Sequence, residues 1–169
     1  MSSEQIFVRM ASWRDCLFLW RLRNAPEVRQ WMRATREFGL LSHVAWMWRV
    51  LRSDSVILMV ACRHGRPVAS VRIDRAPVKG RLFMEVSVSV RPEHQRQGLG
   101  SGILTLVSGM ALHKSAAPKS TLIAVIRHDN SASMRCFLNA GFRMASFPTD
   151  EVALESFLPG DDWVLMVRP

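Results

Sequence analysis

The feature that most constrains the fold is a strand pattern followed by a run of alternating glycines. Residues 81–90 alternate between two sets of side chains, which predicts a β-strand. After a short polar turn, Gly98, Gly100 and Gly102 open a mostly apolar stretch, 98–115, which we interpret as a helix. Glycines at a helix start let a phosphate approach the backbone amides at the positive end of the helix dipole. The pattern therefore predicts a strand, a loop and a helix that together can bind a pyrophosphate.

A dinucleotide-binding loop is the main alternative for such a glycine pattern. Its fingerprint has the spacing GxGxxG, opens a βαβ unit and lies near an acidic residue. The spacing here is GxGxG, and the strand before it follows a predicted antiparallel hairpin. These two differences disfavour a dinucleotide site.

The rest of the chain alternates between short strands and helices, which predicts one α/β domain over residues 1–169. Two β-branched runs, 55–62 and 67–74, are separated by a short polar turn and predict a hairpin. Ser42 is expected to cap one of the helices. The predicted helices cover 12–23, 27–33, 43–52, 98–115 and 131–140. In the third of them, one apolar stripe contains Val44, Met47, Trp48 and Leu51. The other predicted strands cover 6–12, 120–126, 142–147 and 163–168.

The charge balance limits the partners of the chain. There are 23 Lys and Arg residues against 14 Asp and Glu residues, and the net charge is +9. The sequence has no run of five basic residues, so we expect no nucleic-acid partner. A net positive charge favours encounter with anionic small molecules and opposes polycations.

The cysteines and the apolar segments bear on location. Cys16, Cys62 and Cys136 are an odd number, lie far apart and include no CxxC pair, so we expect reduced thiols and no metal site. Charged residues within the first fifteen positions exclude a signal-peptide core. The longest uncharged stretch, 97–113, is too short and too rich in glycine to span a membrane. We therefore expect a soluble, cytoplasmic protein that does not act at a membrane.

A second motif occupies residues 130–142. Asn130 can cap a helix over 131–140, and Gly141 can terminate it. Taken alone, this motif indicates no more than an ordinary capped amphipathic helix.

Together, the two motifs resemble those of the GNAT acetyltransferase superfamily. Its acyl-CoA motif, Gln/Arg-x-x-Gly-x-Gly/Ala, is matched by Gln95, Gly98 and Gly100. Its later motif, Asn-x-x-Ala/Ser-x-x-x-Tyr-x-x-x-Gly-Phe, is matched within 130–142 except at the tyrosine. The resemblance covers most of the chain and implies the α/β (α+β) GNAT fold. In that fold, a mixed, mostly antiparallel sheet of about seven strands is flanked by helices, and we expect it to splay after Val90.

The resemblance also implies acetyl-CoA as the acetyl donor, bound in the gap of the splayed sheet. The backbone of residues 88–90 would hydrogen-bond the pantetheine arm and polarise the thioester carbonyl. Residues 96–101 would hold the pyrophosphate, and Asn130 would contact the pantetheine arm. The implied cofactor-binding residues are Val88, Ser89, Val90, Gln95, Arg96, Gln97, Gly98, Leu99, Gly100, Ser101, Asn130 and Phe137.

One departure from the family concerns the leaving group. Phe137 stands where the family commonly has a tyrosine that protonates the thiolate, and the chain contains no tyrosine. Ser133, one turn earlier on the same helix face, can hydrogen-bond the sulfur. A thiolate with a pKa of about 8.5 can also leave without full protonation. Glu85, on the strand that leads to the gap, is the candidate base for the amine, unless it only faces solvent. His94 is a weaker candidate.

The acceptor is suggested by residues 20–46. They partly resemble GNAT enzymes that acetylate the 4-amino group of nucleotide-linked amino sugars, as in pseudaminic acid synthesis, although Ser42 replaces a glutamate of that pattern. The resemblance implies that Arg29 and His43 bind the nucleotide diphosphate and that Met32 lines the sugar pocket. A cation and an imidazole suit a diphosphate. The aromatic residues of this segment can equally be ordinary core residues.

The resulting prediction is an acetyl-CoA-dependent N-acetyltransferase that acts on the primary amine of a small-molecule acceptor, a nucleotide-linked amino sugar. One alternative is a protein N-terminal or ribosomal-protein N-acetyltransferase, although no acidic cluster is present to receive a basic tail. Another is a non-catalytic acyl-CoA sensor, which the missing tyrosine would suit. Polyamine acceptors are disfavoured by the charge of +9. A homodimer is compatible with the sequence.

Overall fold

The computed structural model describes residues 6–78, 80–114, 120–145 and 157–168. Within these ranges, seven strands form one sheet: β1 (Ile6–Met10), β2 (Val56–Arg63), β3 (Arg66–Val78), β4 (Arg81–Val90), β5 (Ser120–Arg127), β6 (Arg143–Met144) and β7 (Trp163–Arg168). Their order across the sheet is β1-β2-β3-β4-β5-β7-β6. All neighbouring strands are antiparallel except β4 and β5, which are parallel. The predicted mixed, mostly antiparallel sheet is confirmed.

Helices cover both faces of this sheet. They are α1 (Cys16–Asn24), α2 (Pro26–Arg29), α3 (Leu40–Val50), α4 (Leu99–Lys114) and α5 (Ser131–Asn139), with short 3-10 turns at Trp13–Asp15 and Pro92–His94. Successive side chains of a strand point to opposite faces. In β2, Met59 and Ala61 pack with α4 and α5, whereas Leu58 and Val60 pack with α1 and α3. The fold is therefore a sheet between two helical layers.

The predicted elements are found with shifted ends in the N-terminal third. Helix α2 ends at Arg29, four residues before its predicted end, and α3 begins at Leu40 with Gly39 rather than Ser42 at its N-cap. Its buried residues are His43, Met47 and Val50. Two members of the predicted apolar stripe, Val44 and Trp48, are exposed. Apolar residues lie on several sides of α3, so the sequence alone is compatible with more than one buried face. Packing against the sheet determines which face is buried.

The splay of the sheet begins earlier than predicted. Residues 82–85 of β4 pair with residues 120–123 of β5, and there the ladder ends. Strand β4 continues to Val90, paired only with β3 in the described part of the chain. The sheet therefore opens from Val86 and not after Val90. The pairing of β4 with β5 stops five residues before β4 itself ends.

Further observations concern the cysteines, possible membrane spans and possible metal sites. Cys16, Cys62 and Cys136 are free thiols. Among the described residues, no helix is long and apolar enough to cross a bilayer. No group of three or more His, Cys, Asp or Glu side chains in those ranges is arranged to hold a metal ion. The predicted end of a strand at residues 146–147 lies outside the described residues.

Candidate active site

The candidate active site lies where β4 and β5 separate. From Val86 to Val90, β4 has a strand neighbour on one side only, within the ranges described. Both strands lead into helices, since α4 follows β4 and α5 follows β5. Because the two strands are parallel, the N-termini of α4 and α5 lie at the same edge of the sheet. The opening is therefore flanked by unpaired strand backbone and by two helix starts.

Glutamine side chains shape the loop between β4 and α4. Gln95 Nε2 donates to the Val90 carbonyl at 2.9 Å, which ties the loop to the end of the strand. Gln97 accepts a hydrogen bond from Arg63 Nη1 at 3.1 Å and donates to the Glu93 carbonyl at 3.2 Å. Both amides are engaged within the protein, so we assign their side chains to loop structure. Any contact with a ligand would come from the loop backbone.

The start of α4 leaves backbone donors without helical acceptors. The helix-type hydrogen bond from Gly102 N to Gly98 O is 3.2 Å long, and amides 98–101 precede it. By helix geometry, such amides have no intrahelical partner, and they lie at the positive end of the dipole. The Leu99 side chain is buried and Ser101 Oγ donates to the Gly98 carbonyl at 3.0 Å. The backbone of this turn is thus suited to bind an anion.

The three alternating glycines have three different explanations. Gly98 has φ +74°, and Arg96 before it has φ +60°, so the loop passes twice through the left-handed region that glycine adopts most readily. A Cβ atom on Gly100 would lie 2.7 Å from Cys136 Sγ, so glycine there permits α4 to pack against α5. A Cβ atom on Gly102 would meet nothing within 4 Å. The expectation that glycine is there to admit a phosphate is therefore corrected for Gly100, and for Gly98 and Gly102 it stays a prediction.

The second motif has the predicted caps. Asn130 Oδ1 accepts from the Ser133 amide at 3.0 Å, and α5 starts at the next residue. Gly141, at φ +85°, follows the helix, and the Phe142 amide donates to the Phe137 carbonyl at 3.0 Å. Ser133 lies half-buried in the first turn of α5. Its contact with a thioester sulfur stays a prediction.

Phe137 belongs to the core. The side chain is 3% exposed, and its ring meets that of Phe142 edge to face, with centroids 5.0 Å apart. The neighbouring Cys136 thiol is partly buried, and burial raises its pKa to about 11, so it is neutral at pH 7. Packing in the core therefore accounts for Phe137, and its contact with acetyl-CoA stays a prediction.

Replacement of Phe137 with Tyr tests the missing proton donor. If the new hydroxyl reaches the leaving sulfur, we expect kcat to stay unchanged or rise, since the substitution restores the family's acid. A buried hydroxyl without a partner costs about 1–3 kcal/mol, so Tm is measured alongside kcat. A strong loss of kcat with Tm and acetyl-CoA binding intact would show that the ring contacts the acceptor instead.

Glu85 lies at the point where the ladder between β4 and β5 ends. It pairs with Ile123 across that ladder, and its side chain is only 20% exposed, which contradicts a merely solvated position. Glu85 Oε1 lies 2.8 Å from Arg33 Nη2. Burial raises the pKa of Glu85, and Arg33 opposes that rise. A carboxylate with a raised pKa at the mouth of the opening is suited to accept a proton from an amine.

His43 is a buried residue of α3. The ring is 1% exposed and stacks obliquely on Trp46, with centroids 5.1 Å apart. Burial lowers the pKa of His43, the Cys16 backbone opposes that effect, and the nearby Arg23 lowers the pKa further. A neutral core imidazole cannot act as a cation toward a diphosphate. The predicted role of His43 in substrate binding is corrected to packing.

Arg29 and Arg23 form a cationic pair, of which the sequence predicts only Arg29 as a site residue. Arg29 Nη1 lies 2.8 Å from Glu37 Oε1, but that carboxylate is 82% exposed. Arg23 Nη2 donates to the Ala34 carbonyl at 3.2 Å, while its Nη1 is buried with no hydrogen-bond partner among the described residues. Burial lowers the pKa of Arg23, and the neighbouring Arg29 lowers it further. No rule of sequence spacing predicts this pair, because the two arginines lie on either side of the turn from α1 to α2.

A sheet that opens between two parallel strands beside a helix start is the arrangement expected of GNAT acetyltransferases. Residues 13–142 match the family described as the acetyltransferase (GNAT) family. The chain belongs to this family, and it is therefore an N-acetyltransferase of the GNAT type. The predicted superfamily is confirmed.

Solved structures share the fold. An aminoglycoside acetyltransferase, AAC(6')-Ib with coenzyme A, is 17% identical with a TM-score of 0.75, over 97% of this chain and 94% of that chain. Spermidine N-acetyltransferase from Vibrio cholerae, with CoA and spermine, is 13% identical with a TM-score of 0.75, over 96% and 93%. A putative acetyltransferase, yncA from Salmonella typhimurium, with acetyl-CoA, is 24% identical with a TM-score of 0.71, over 96% and 92%. No curated protein shows a significant match.

Proposed function

We propose that this protein transfers the acetyl group of acetyl-CoA directly to the primary amine of a nucleotide-linked amino sugar. The observation that carries the donor half of this proposal is the opening of the sheet from Val86, with amides 98–101 at its edge. The described arrangement fits the donor, because an extended arm can pair with free strand backbone while a pyrophosphate binds helix-start amides. The similar structures named above contain CoA or acetyl-CoA.

The donor-binding residues are proposed on this basis. The backbone of residues 88–90 binds the pantetheine arm, except that the Val90 carbonyl already accepts a hydrogen bond from Gln95. The loop and helix start, residues 96–101, hold the pyrophosphate through their amides. Asn130 uses its Oδ1 to cap α5, which leaves its Nδ2 to contact the arm.

Glu85 and Ser133 carry the proposed chemistry. Acetyl-CoA supplies a thioester, in which the carbonyl carbon forms a new bond to nitrogen as its bond to sulfur breaks. Glu85 accepts the proton that the attacking amine must lose, directly or through a water. Ser133 donates a hydrogen bond to the departing sulfur. A serine is too weak an acid to transfer its proton, so the group leaves as a thiolate.

An anionic acceptor is supported by the charge and by one local arrangement. Arg23 buries its guanidinium Nη1 with no hydrogen-bond partner in the described part of the chain, and the neighbouring Arg29 pairs only with the exposed carboxylate of Glu37. Buried cations of this kind stabilise a phosphate that approaches them. Met32 follows α2 and is half-buried, and we assign it to the lining of the sugar pocket. The net charge of +9 further favours anionic over polycationic acceptors.

An assay with separate acceptor panels tests this proposal. The protein is incubated with acetyl-CoA and, in turn, with amino-sugar nucleotides, basic peptides and polyamines, while release of free thiol is followed. We expect thiol release to depend on an amino-sugar nucleotide. Turnover with peptides alone would instead support a protein N-acetyltransferase. Tight binding of acetyl-CoA without turnover on any panel would support a sensor.

Replacing Arg29 with Ala tests the acceptor site. A charge-assisted hydrogen bond contributes about 1.5–3 kcal/mol, so we expect the KM of the acceptor to rise about tenfold to a hundredfold. The KM of acetyl-CoA should change little, and added salt should weaken acceptor binding less than in the wild type. Arg21→Ala, at an exposed position of α1, removes the same charge and serves as the control. Unchanged acceptor kinetics in Arg29→Ala would contradict the nucleotide-sugar assignment.

A further inference from the structure

Arg33 joins three parts of the molecule at one guanidinium. It lies in the segment between α2 and α3, on the proposed acceptor side, and is half-exposed. Its Nη2 lies 2.8 Å from Glu85 Oε1 on β4 and donates to the Phe157 carbonyl at 3.5 Å. The acceptor-side segment, the central strand and the residues before β7 therefore meet beside the candidate base.

The other charged groups around Glu85 do not provide this contact. Asp74 on β3 is directly opposite Glu85 in the register, and it raises the pKa of Glu85. Arg72, also on β3, lowers that pKa but is committed to Asp74, with Nη2 2.6 Å from Oδ1. The parallel neighbour on β5 is the uncharged Ile123. Among the residues that the structure describes, Arg33 is thus the cation that contacts the Glu85 carboxylate.

We propose that Arg33 is a positioning residue that keeps Glu85 ionised and aligned in the opening, and that it couples this state to the acceptor-side segment. The inference rests on the proposed role of Glu85 as the base. A largely buried carboxylate without an adjacent cation takes up a proton more readily and then cannot accept one from the amine. Arg33 removes that obstacle only while the segment between α2 and α3 is seated against the sheet.

The pH dependence of kcat/KM tests this inference. Glu85 must be deprotonated to act, so its ionisation produces the acidic limb of the profile. Burial and Asp74 both raise the pKa of Glu85, and Arg33 opposes this rise. Without the Arg33 charge the pKa of Glu85 should increase, so the acidic limb of the profile should move to higher pH in Arg33→Ala. We expect the ratio of kcat/KM at pH 8.5 to that at pH 6 to increase about tenfold. Arg33→Lys should restore most of the wild-type profile.

Two controls separate the possible explanations. A purely structural role for Arg33 would lower kcat/KM at every pH and leave the limb in place, which would overturn the inference. Arg33→Gln removes the charge but keeps a donor, and it replaces the alanine variant if that protein does not fold. Full activity in Glu85→Gln would refute the proposed base itself. An inactive Glu85→Gln with an unmoved limb in Arg33→Ala would refute the Arg33 inference alone.

Discussion

Replacement of Glu85 with Gln is expected to lower kcat about a hundredfold to ten-thousandfold, the range attributed to a positioned acid or base. Glutamine has nearly the same shape, and its amide oxygen can still accept a hydrogen bond from Arg33, so the fold is disturbed little although the ion pair is lost. The amide cannot accept the proton of the attacking amine. The measurement is steady-state acetyl transfer at saturating acetyl-CoA, with binding of acetyl-CoA checked separately.

Asp74→Asn is the matched control for this substitution. Asp74 is the carboxylate opposite Glu85 in the antiparallel register, but it is paired with Arg72 and lies away from the ladder between β4 and β5. We expect its kcat at pH 8.5 to stay within about twofold of the wild type, as is usual for a surface ion pair. Equal losses of kcat in both variants would show that activity depends on the local negative charge and not on a base at residue 85.

The pH dependence of the wild type follows from the position of Glu85. Burial raises the pKa of this carboxylate, so its protonated, inactive form persists to a higher pH than for an exposed glutamate. Activity should therefore fall as the pH decreases through that raised pKa. The Gln variant should lose this acidic limb.

The three alternating glycines show how much of the structure a local sequence pattern can predict. The pattern located the loop and the start of α4 correctly, since both follow from backbone preferences. It could not reveal that Gly100 faces Cys136 on a different helix. That contact depends on how α4 packs against α5, which no spacing within one helix encodes.

The acceptor side was harder to predict for a related reason. His43 lies within residues 20–46, which contain three tryptophans and several arginines, and an imidazole there fits either a ligand site or a core. Because His43 is buried in α3, it is a core residue and not a ligand-binding residue. Arg23 contacts Ala34 in the segment between α2 and α3, and Arg33 contacts Glu85 on β4, so the roles of both emerge only from the tertiary structure.

A negative charge placed at the start of α4 is expected to raise the Kd of acetyl-CoA more than a hundredfold. At about 5 Å and an effective dielectric constant of about 20, one pair of like charges costs about 3 kcal/mol. Gly102→Glu adds such a charge next to amides 98–101, where a side chain has open space. Gly100 is less suitable, since any side chain there meets Cys136 Sγ and lost binding could reflect misfolding.

Gly109→Glu provides the matched control. Gly109 also lies in α4 with nothing within 4 Å of an added Cβ atom. It is seven residues from Gly102, about two turns along the same helix face. Both substitutions replace a helical glycine and should each stabilise the helix by about 0.5–1 kcal/mol. A difference between them therefore reports the position of the charge and not the stability of the fold.

Calorimetric titration of acetyl-CoA into the wild type, Gly102→Glu and Gly109→Glu is the most direct test of the central claim, that the opening beyond Glu85 and the start of α4 bind the acetyl donor. We expect saturable binding at one site in the wild type, nearly unchanged binding in Gly109→Glu, and a Kd raised more than a hundredfold in Gly102→Glu. Equal affinities in all three proteins, or no binding to the wild type, would contradict it.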